Sequence, residues 1–326
     1  MRVLITGGAG YIGSHAVREF LEAGHQVTVL DDLSKGHRAA VPKGVSLVEG
    51  DLGDAGALGR ALDGCGAVIH FAGLLSVAES MRLPGSYYRT NLVKGLALLA
   101  AMEAAEVRCI IFSSTCATYG MPVRVPMDEA HPQNPINPYG GSKLSFERAL
   151  LDHARVGLRA IALRYFNAAG CHPDGSLGED HRPEEHLIPL AIDAALGRGP
   201  GLTIYGEDYD TPDGTCIRDY IHVQDLARAH LLALAVIDQG EGFRAFNLGT
   251  EVGQSVREVV RSVERVVGKP VPARVGPRRP GDPPRLLAKA QAAKDSLGFA
   301  AQHRELDGIV ETALRWRRDH PQGYGA

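Results

Sequence analysis

Cysteine is scarce and scattered in this chain: Cys65, Cys109, Cys116, Cys171 and Cys216 form no C-x-x-C pair, and their number is odd. That pattern argues against a disulfide framework and a cysteine-based zinc site, and it suits a reducing cytosol, so a cytoplasmic location is expected. Long apolar runs are missing too; none approaches the roughly 20 residues that cross a bilayer. The amino terminus enters a strand directly, without a basic segment, apolar stretch and cleavage site in succession. No signal peptide is expected, and the mature chain is expected to begin at Met1. A dominant charge is lacking, since 35 Lys and Arg against 38 Asp and Glu leave a net charge of -3. A nucleic-acid or anionic-membrane partner therefore has no electrostatic basis. Internal repeats and low-complexity tracts are also absent.

What remains is an ordinary globular composition, 44% hydrophobic and 22% charged over 326 residues, long enough for two lobes that share a cleft. The apolar run Arg2 to Thr6 ends in Gly7-Gly8-Ala9-Gly10-Tyr11-Ile12-Gly13 and is followed by a helical pattern. A strand, a turn with glycines at 7, 10 and 13, and a helix make up the dinucleotide-binding arrangement. Gly7 permits the tight turn, Gly10 lets the backbone approach a pyrophosphate, and Gly13 allows close helix packing. The helix N-terminus then presents free N–H groups to the anion.

The second strand, Gln26 to Leu30, delivers Asp31 and Asp32 at its carboxyl end. An acidic side chain there accepts from both adenosine ribose hydroxyls and repels a 2′-phosphate, which predicts NAD rather than NADP. Val45 to Glu49 reads as a third strand leading to Asp51 and Leu52 near the adenine. Ala67 to Phe71 reads as a fourth, ending in Phe71-Ala72-Gly73. Asn91 opens a predicted helix through Ala105, Cys109 to Phe112 is the fifth strand, and Leu158 to Leu163 the sixth. This alternation predicts an α/β class, a Rossmann-type doubly wound parallel sheet.

The fifth strand runs into Ser113-Ser114-Thr115-Cys116, where hydroxyls face the ligand side of an open sheet. Downstream, Asn137-Pro138 reads as a helix start, which places Tyr139 and Lys143 on one helical face. A phenol with an ordinary pKa of about 10 is a poor base near neutrality, but an adjacent ammonium favours phenolate. Tyr139 and Lys143 are thus the expected base and its partner, with the Thr115 hydroxyl beside the reacting oxygen. His181 and His186 flank Arg-Pro-Glu-Glu, and a five-residue spacing across a proline does not put two ligands on one helical face. No metal site is expected.

Together these features resemble the extended short-chain dehydrogenase/reductase family. Arg164-Tyr165-Phe166-Asn167, Asp208-Tyr209 with Asp213-Gly214-Thr215, and Arg218-Asp219-Tyr220-Ile221-His222-Val223 are similar to one branch of it, the UDP-glucose 4-epimerases, and the match runs from Met1 to Tyr324. The resemblance implies that Tyr139 takes a proton from the sugar C4 hydroxyl while tightly held NAD accepts the hydride, giving a 4-keto sugar that is reduced again on its other face. It implies that Asn91, Ser113 and Tyr165, together with Tyr139 and Lys143, also contact the cofactor. On the substrate side it assigns Arg218 and Arg279 to the diphosphate, Tyr205 to the uracil, Asp282 to the ribose, and Asn167, Thr115 and Leu187 to further UDP-sugar contacts. His186 stands where relatives use asparagine to hold the diphosphate. Leu286 falls where bulk limits the sugar C2 substituent, which leaves UDP-N-acetylglucosamine and UDP-pentoses open as substrates. Leu75 replaces a cofactor-contacting lysine, and Glu251 a loop glycine.

The expected lobes are a dinucleotide-binding domain, 1–166 joined by 217–247, and a substrate-binding lobe of 167–216 and 248–326. A homodimer through the helices Asn91 to Ala105 and Gly141 to Val156 is also implied. Two rivals weigh less. Dehydratases that eliminate water across C5 and C6 carry an Asp-Glu pair where this chain has Cys116-Ala117. A non-catalytic NAD sensor would be expected to have lost Tyr139 or Lys143.

Overall fold

The computed structural model describes residues 1–240, 242–279 and 281–325. Thirteen strands are defined within them: β1 Arg2–Thr6, β2 Gln26–Asp31, β3 Ser46–Glu49, β4 Ala67–His70, β5 Cys109–Thr115, β6 Arg159–Tyr165, β7 Asn167–Ala169, β8 Leu202–Tyr205, β9 Ile217–His222, β10 Phe243–Leu248, β11 Gly253–Ser255, β12 Ala273–Gly276 and β13 Arg285–Leu286. Seven form one parallel sheet in the order β10-β6-β5-β4-β1-β2-β3. The order reverses between β1 and β4, and the crevice for a ligand opens at their carboxyl ends.

Both faces of this sheet are covered, which is why its strands read as continuous apolar runs. One face packs the helices Tyr11–Glu22 and Val223–Ala235, burying Val17, Phe20, Leu226 and Ala233 against Val3, Ile5 and Ile69. The other packs Ala55–Leu62, Lys94–Ala104 and Pro138–Ala154, with Leu58, Leu98 and Phe146 against Leu4, Val68 and Ile110. A separate core joins the helices Leu187–Ala195, Val256–Val267 and Leu306–Asp319 around Ile192, Val263 and Trp316. Val256–Val267 is sharply bounded: Ser255 and Glu258 form a capping box, and Gly268 closes its end in the left-handed region at φ +75°.

The remaining strands form two smaller sheets. In the smaller sheet β9 lies between β11 and β13 and also carries β7, while β8 pairs with β12. β12 comes from a proline-rich stretch of the chain. β9 itself lies in the small sheet, not the large one, so the return to the central sheet is made by the helix after it and by β10. Conversely Ala293, Leu297 and Phe299, expected in the smaller lobe, are buried in the core of the central sheet.

One local expectation changes. Asn91 does not open a helix; it lies within a wide turn, Arg89–Val93, that joins Pro84–Tyr88 to Lys94–Ala104. Its buried amide donates to Leu74 O and Ser142 Oγ and accepts from Leu74 N, and this inward pull accounts for the widened turn. The helix Val223–Ala235 is capped by His222, and Asp225 in its first turn accepts from the backbone N–H groups of Gln302 and His303.

Candidate active site

At the glycine loop each of the three positions has its own constraint. Gly7 has φ +71°, and a Cβ there would stand 2.6 Å from Ala72 N, so the end of β4 presses against the loop. A Cβ on Gly13 would meet Gly7 O at 2.1 Å. Gly10 differs, since only Gly7 O, at 3.3 Å, would face its Cβ; the backbone there is open. Gly10 also leaves the helix Tyr11–Glu22 without a side-chain cap, and no acidic residue occupies the first turn. An open glycine beside uncapped N–H groups fits a pyrophosphate.

The two aspartates after β2 separate in role. Asp31 is buried; its carboxylate accepts from Ala9 N and Leu33 N, both at 2.9 Å, and so braces the loop. Burial raises its pKa, and these two bonds oppose the rise. Asp32 is exposed and accepts from Ser34 N at 2.9 Å, a turn carboxylate. Asp51 pairs with Lys94 and accepts from Gly53 N at 2.7 Å, and Leu52 is buried beside it. The Phe71 ring packs on His230, centroids 4.5 Å apart. The Tyr11 hydroxyl donates to Gly170 O and ties the loop to the far wall, and Ile12 packs onto the central core. These groups fit NAD, although Asn91 spends its amide on Leu74 and Ser142 and so shapes the loop around Gly73.

The proton-transfer group is built on the helix Pro138–Ala154. Asn137 caps it by accepting from Gly140 N at 2.8 Å, and Pro138 occupies its first turn, as the sequence implies. Tyr139 is half-buried, and its phenol faces the Thr115 hydroxyl at the end of β5. Burial pushes the phenol up to about 12, opposed by that hydroxyl. Lys143, only 4% exposed, donates from Nζ to Ser113 O at 3.0 Å and lies 4.8 Å from the Phe112 ring centroid. Burial brings the Lys143 pKa down to about 8, opposed by Glu147. The expectation that Lys143 lowers the phenol pKa is not met in this geometry. The ammonium is aimed at a carbonyl, and burial moves both groups toward their neutral forms.

Sequence reasoning missed Glu147. It forms a buried ion pair with Arg164 at 2.6 Å, accepts from Ser114 Oγ, and faces Lys143 one helical turn away. Arg164 donates onward to the Tyr119 hydroxyl at 3.0 Å, which donates to Asn247 Oδ1 at 2.7 Å. The i, i+4 spacing from Lys143 was the available signal. Ser113 and Tyr165 are hydrogen-bonded to each other at neighbouring strand ends.

On the substrate side, Arg218 is buried and paired with Asp282, and in register Leu286 of β13 stands opposite Arg218 of β9. The Arg279 guanidinium lies 4.2 Å above the Tyr205 ring. Asn167 is half-buried on β7, opposite Tyr220. His186 and Leu187 begin the helix Leu187–Ala195, but the His186 ring does not cap it; Nδ1 faces Glu179 and Glu184 at 2.8 and 2.9 Å. Leu75 is exposed and offers no polar atom. Glu251 keeps the left-handed backbone of the glycine it replaces, φ +62°, and accepts from Ala290 N at 2.8 Å.

The spacing argument against a pair of histidine ligands assumed a helix. Residues 179–186 form a loop instead, and the His181 and His186 rings come to 5.0 Å between centroids. Burial works against a charged His181, but the nearby carboxylates of Glu179 and Glu184 raise its pKa to about 9.

The sequence model of the NAD dependent epimerase/dehydratase family matches residues 3–249. A UDP-glucose 4-epimerase of Azospirillum brasilense is 51% identical over 99% of this chain and 94% of its own length. Among solved structures, UDP-glucose 4-epimerase from Brucella ovis in complex with NAD superposes with a TM-score of 0.93 at 48% identity, covering 97% of this chain and 98% of that one. The enzyme from Bifidobacterium longum in complex with NAD+ and UDP gives 0.94 at 39% identity, covering 99% and 100%.

Proposed function

The chain belongs to the NAD dependent epimerase/dehydratase family, and from that premise we propose that it is an NAD-dependent isomerase interconverting UDP-glucose and UDP-galactose at C4. The observation that carries this reading is the Tyr139 phenol, facing the Thr115 hydroxyl and one turn from Lys143, at the strand ends where the glycine loop and Phe71-Ala72-Gly73 meet.

The C4 hydrogen of the sugar is not adjacent to a carbonyl, so direct deprotonation is not feasible and oxidation must come first. NAD+, when bound, supplies the hydride acceptor and a fixed positive charge. Gly10 and the helix N-terminus at Tyr11 take its pyrophosphate, and Asp31 takes the ribose. Tyr139 removes the C4 hydroxyl proton, with Thr115 holding the same oxygen, and returns a proton after the 4-keto sugar has turned over. A pocket that admits two sugar orientations needs its grip elsewhere. Arg218 and Arg279 are assigned to the diphosphate, Asp282 to the UDP ribose, and Tyr205 to the uracil. Asn167, Leu187 and Leu286 line the sugar end. The His186 side chain is withdrawn into its carboxylate cluster, so its substrate contact is reassigned to the backbone.

The dinucleotide lobe comprises 1–166, the helix Val223–Ala235, β10 and 291–299; β7, β8, β9 and β11 to β13, with the helices Leu187–Ala195, Val256–Val267 and Leu306–Asp319, form the substrate lobe. After Thr115 come Cys116, a thiol that burial pushes up to about 12, and Ala117. Neither supplies the acid a dehydratase needs. Exposed Val93, Leu96 and Leu151 on the two helices of the expected contact support a homodimer. Five free thiols support a cytoplasmic setting. Incubation with UDP-glucose, UDP-N-acetylglucosamine and UDP-xylose in parallel tests activity and breadth together; formation of UDP-galactose is expected. A 4-keto-6-deoxy product, or NAD binding without any turnover, would overturn the reading.

A further inference from the structure

The loop that leads from β7 to the helix Leu187–Ala195 gathers Glu179, His181, Glu184 and His186, whose ligating atoms all lie within 4.8 Å of one another. His186 Nδ1 is 2.8 Å from Glu179 Oε1 and 2.9 Å from Glu184 Oε1. His181 Nδ1 is 3.3 Å from Glu179 Oε1 and 3.7 Å from Glu184 Oε2. Donors about 2.0–2.1 Å from a tetrahedral ion stand about 3.3 Å from each other, the middle of that range.

A second observation is independent of spacing. Glu179 Oε1, His181 Nδ1 and Glu184 Oε2 are buried and without a hydrogen-bond partner, and Glu179 as a residue is 4% exposed. Glu179 Oε1 stands 2.8 and 3.3 Å from the two ring nitrogens without hydrogen-bond geometry, and Glu184 Oε2, 3.7 Å from His181 Nδ1, is too far for a hydrogen bond. Buried polar atoms of this kind call for an ion or a water. Arg317, which also faces both glutamates, is itself paired with Asp193 and leaves their charge available.

We propose that these four residues bind one divalent transition-metal ion, zinc by the character of two imidazoles and two carboxylates. Four protein donors leave no open position, so the site is structural. The two carboxylates balance the charge of the ion. His181 meets the Tyr11 ring edge-on, centroids 6.0 Å apart, and His186 directly precedes a helix. The ion would therefore fasten the glycine loop to the start of the helix Leu187–Ala195.

The test uses the full-length, tag-free protein with its NAD, stripped by a chelator and then titrated with Zn2+ by calorimetry and with Co2+ by visible absorption. One equivalent of Zn2+ per chain and the intense absorption of tetrahedral Co2+ are expected. Either His181→Ala or the shape-conserving Glu184→Gln should weaken Zn2+ binding by at least about 100-fold, more than the loss of an outer contact. A wild type that takes up no Zn2+ at micromolar concentration, or variants that bind as it does, would overturn the proposal.

Discussion

Tyr139 stands under two opposed influences, burial that favours its neutral form and the Thr115 hydroxyl that favours phenolate. Replacing Tyr139 by Phe removes the proton acceptor; turnover should fall by about 10²–10⁴-fold while NAD is retained, measured by kcat and by cofactor absorbance. Thr115→Val keeps the shape and deletes the hydroxyl. The phenol pKa then rises, so the rate should climb at a higher pH than in wild type, and kcat at neutral pH should fall about 10- to 100-fold. Thr115→Ser should restore both. Lys143 carries a stability consequence with a definite sign. Its folded pKa, about 8, is below that of the unfolded chain, about 10.4, so between these values the unfolded chain holds more protons. Its contribution to stability is complete above the unfolded value and is lost as pH falls through the folded one. Urea unfolding of the cofactor-free protein from pH 7.5 to 10 should show wild type gaining on Lys143→Met by about 2 kcal/mol. Parallel curves would refute that linkage.

The helix Pro138–Ala154 joins the chemistry to the core. It presents Tyr139, Lys143 and Glu147 on one face, and Glu147 anchors that face to β6 through Arg164. The pair is almost wholly buried, 3% and 5% side-chain exposure, so removing one partner strands a charge. Glu147→Ala should cost about 3–5 kcal/mol in urea unfolding, and a Glu147→Leu/Arg164→Met double variant should recover much of it. At the first turn of the chain, Gly7→Ala forces both a left-handed backbone and a clash with Ala72 N. Loss of retained NAD on purification is the expected outcome, with the small-lobe core intact by fluorescence of Trp316, which lies in that core.

For the whole molecule, the chain passes repeatedly between the seven-stranded and the four-stranded sheet. β6 leads into β7 of the small sheet, and β9 leads into a helix on the large one. Each crossing places a site residue at the seam: Tyr165 and Asn167 at the first, Arg218 near the second. The lobes therefore cannot be separated without dismantling the site. Assembly is a further level. With Val93 57% exposed and Leu96 40% exposed, Val93→Glu/Leu96→Glu should shift sedimentation from dimer to monomer. A wild type that sediments as a monomer would remove the dimer from the scheme.

Local physics, readable from residue order, determined the parallel α/β sheet, the glycine turn, the capped helix bearing Tyr139 and Lys143, and the strand-end hydroxyls. Each of these rests on backbone propensity or periodicity over a few neighbours. Contacts between distant segments decided the rest. Which of Asp31 and Asp32 turns inward, where Asn91 directs its amide, and the Arg218–Asp282 and Arg279–Tyr205 pairings depend on segments far apart in the chain. The sense of the Tyr139 and Lys143 shifts depends on burial, which no spacing encodes. The Glu179–His186 cluster is the sharpest case: a helical reading kept its histidines apart, and only the fold of a loop, packed beside Tyr11, brought their nitrogens to a common centre.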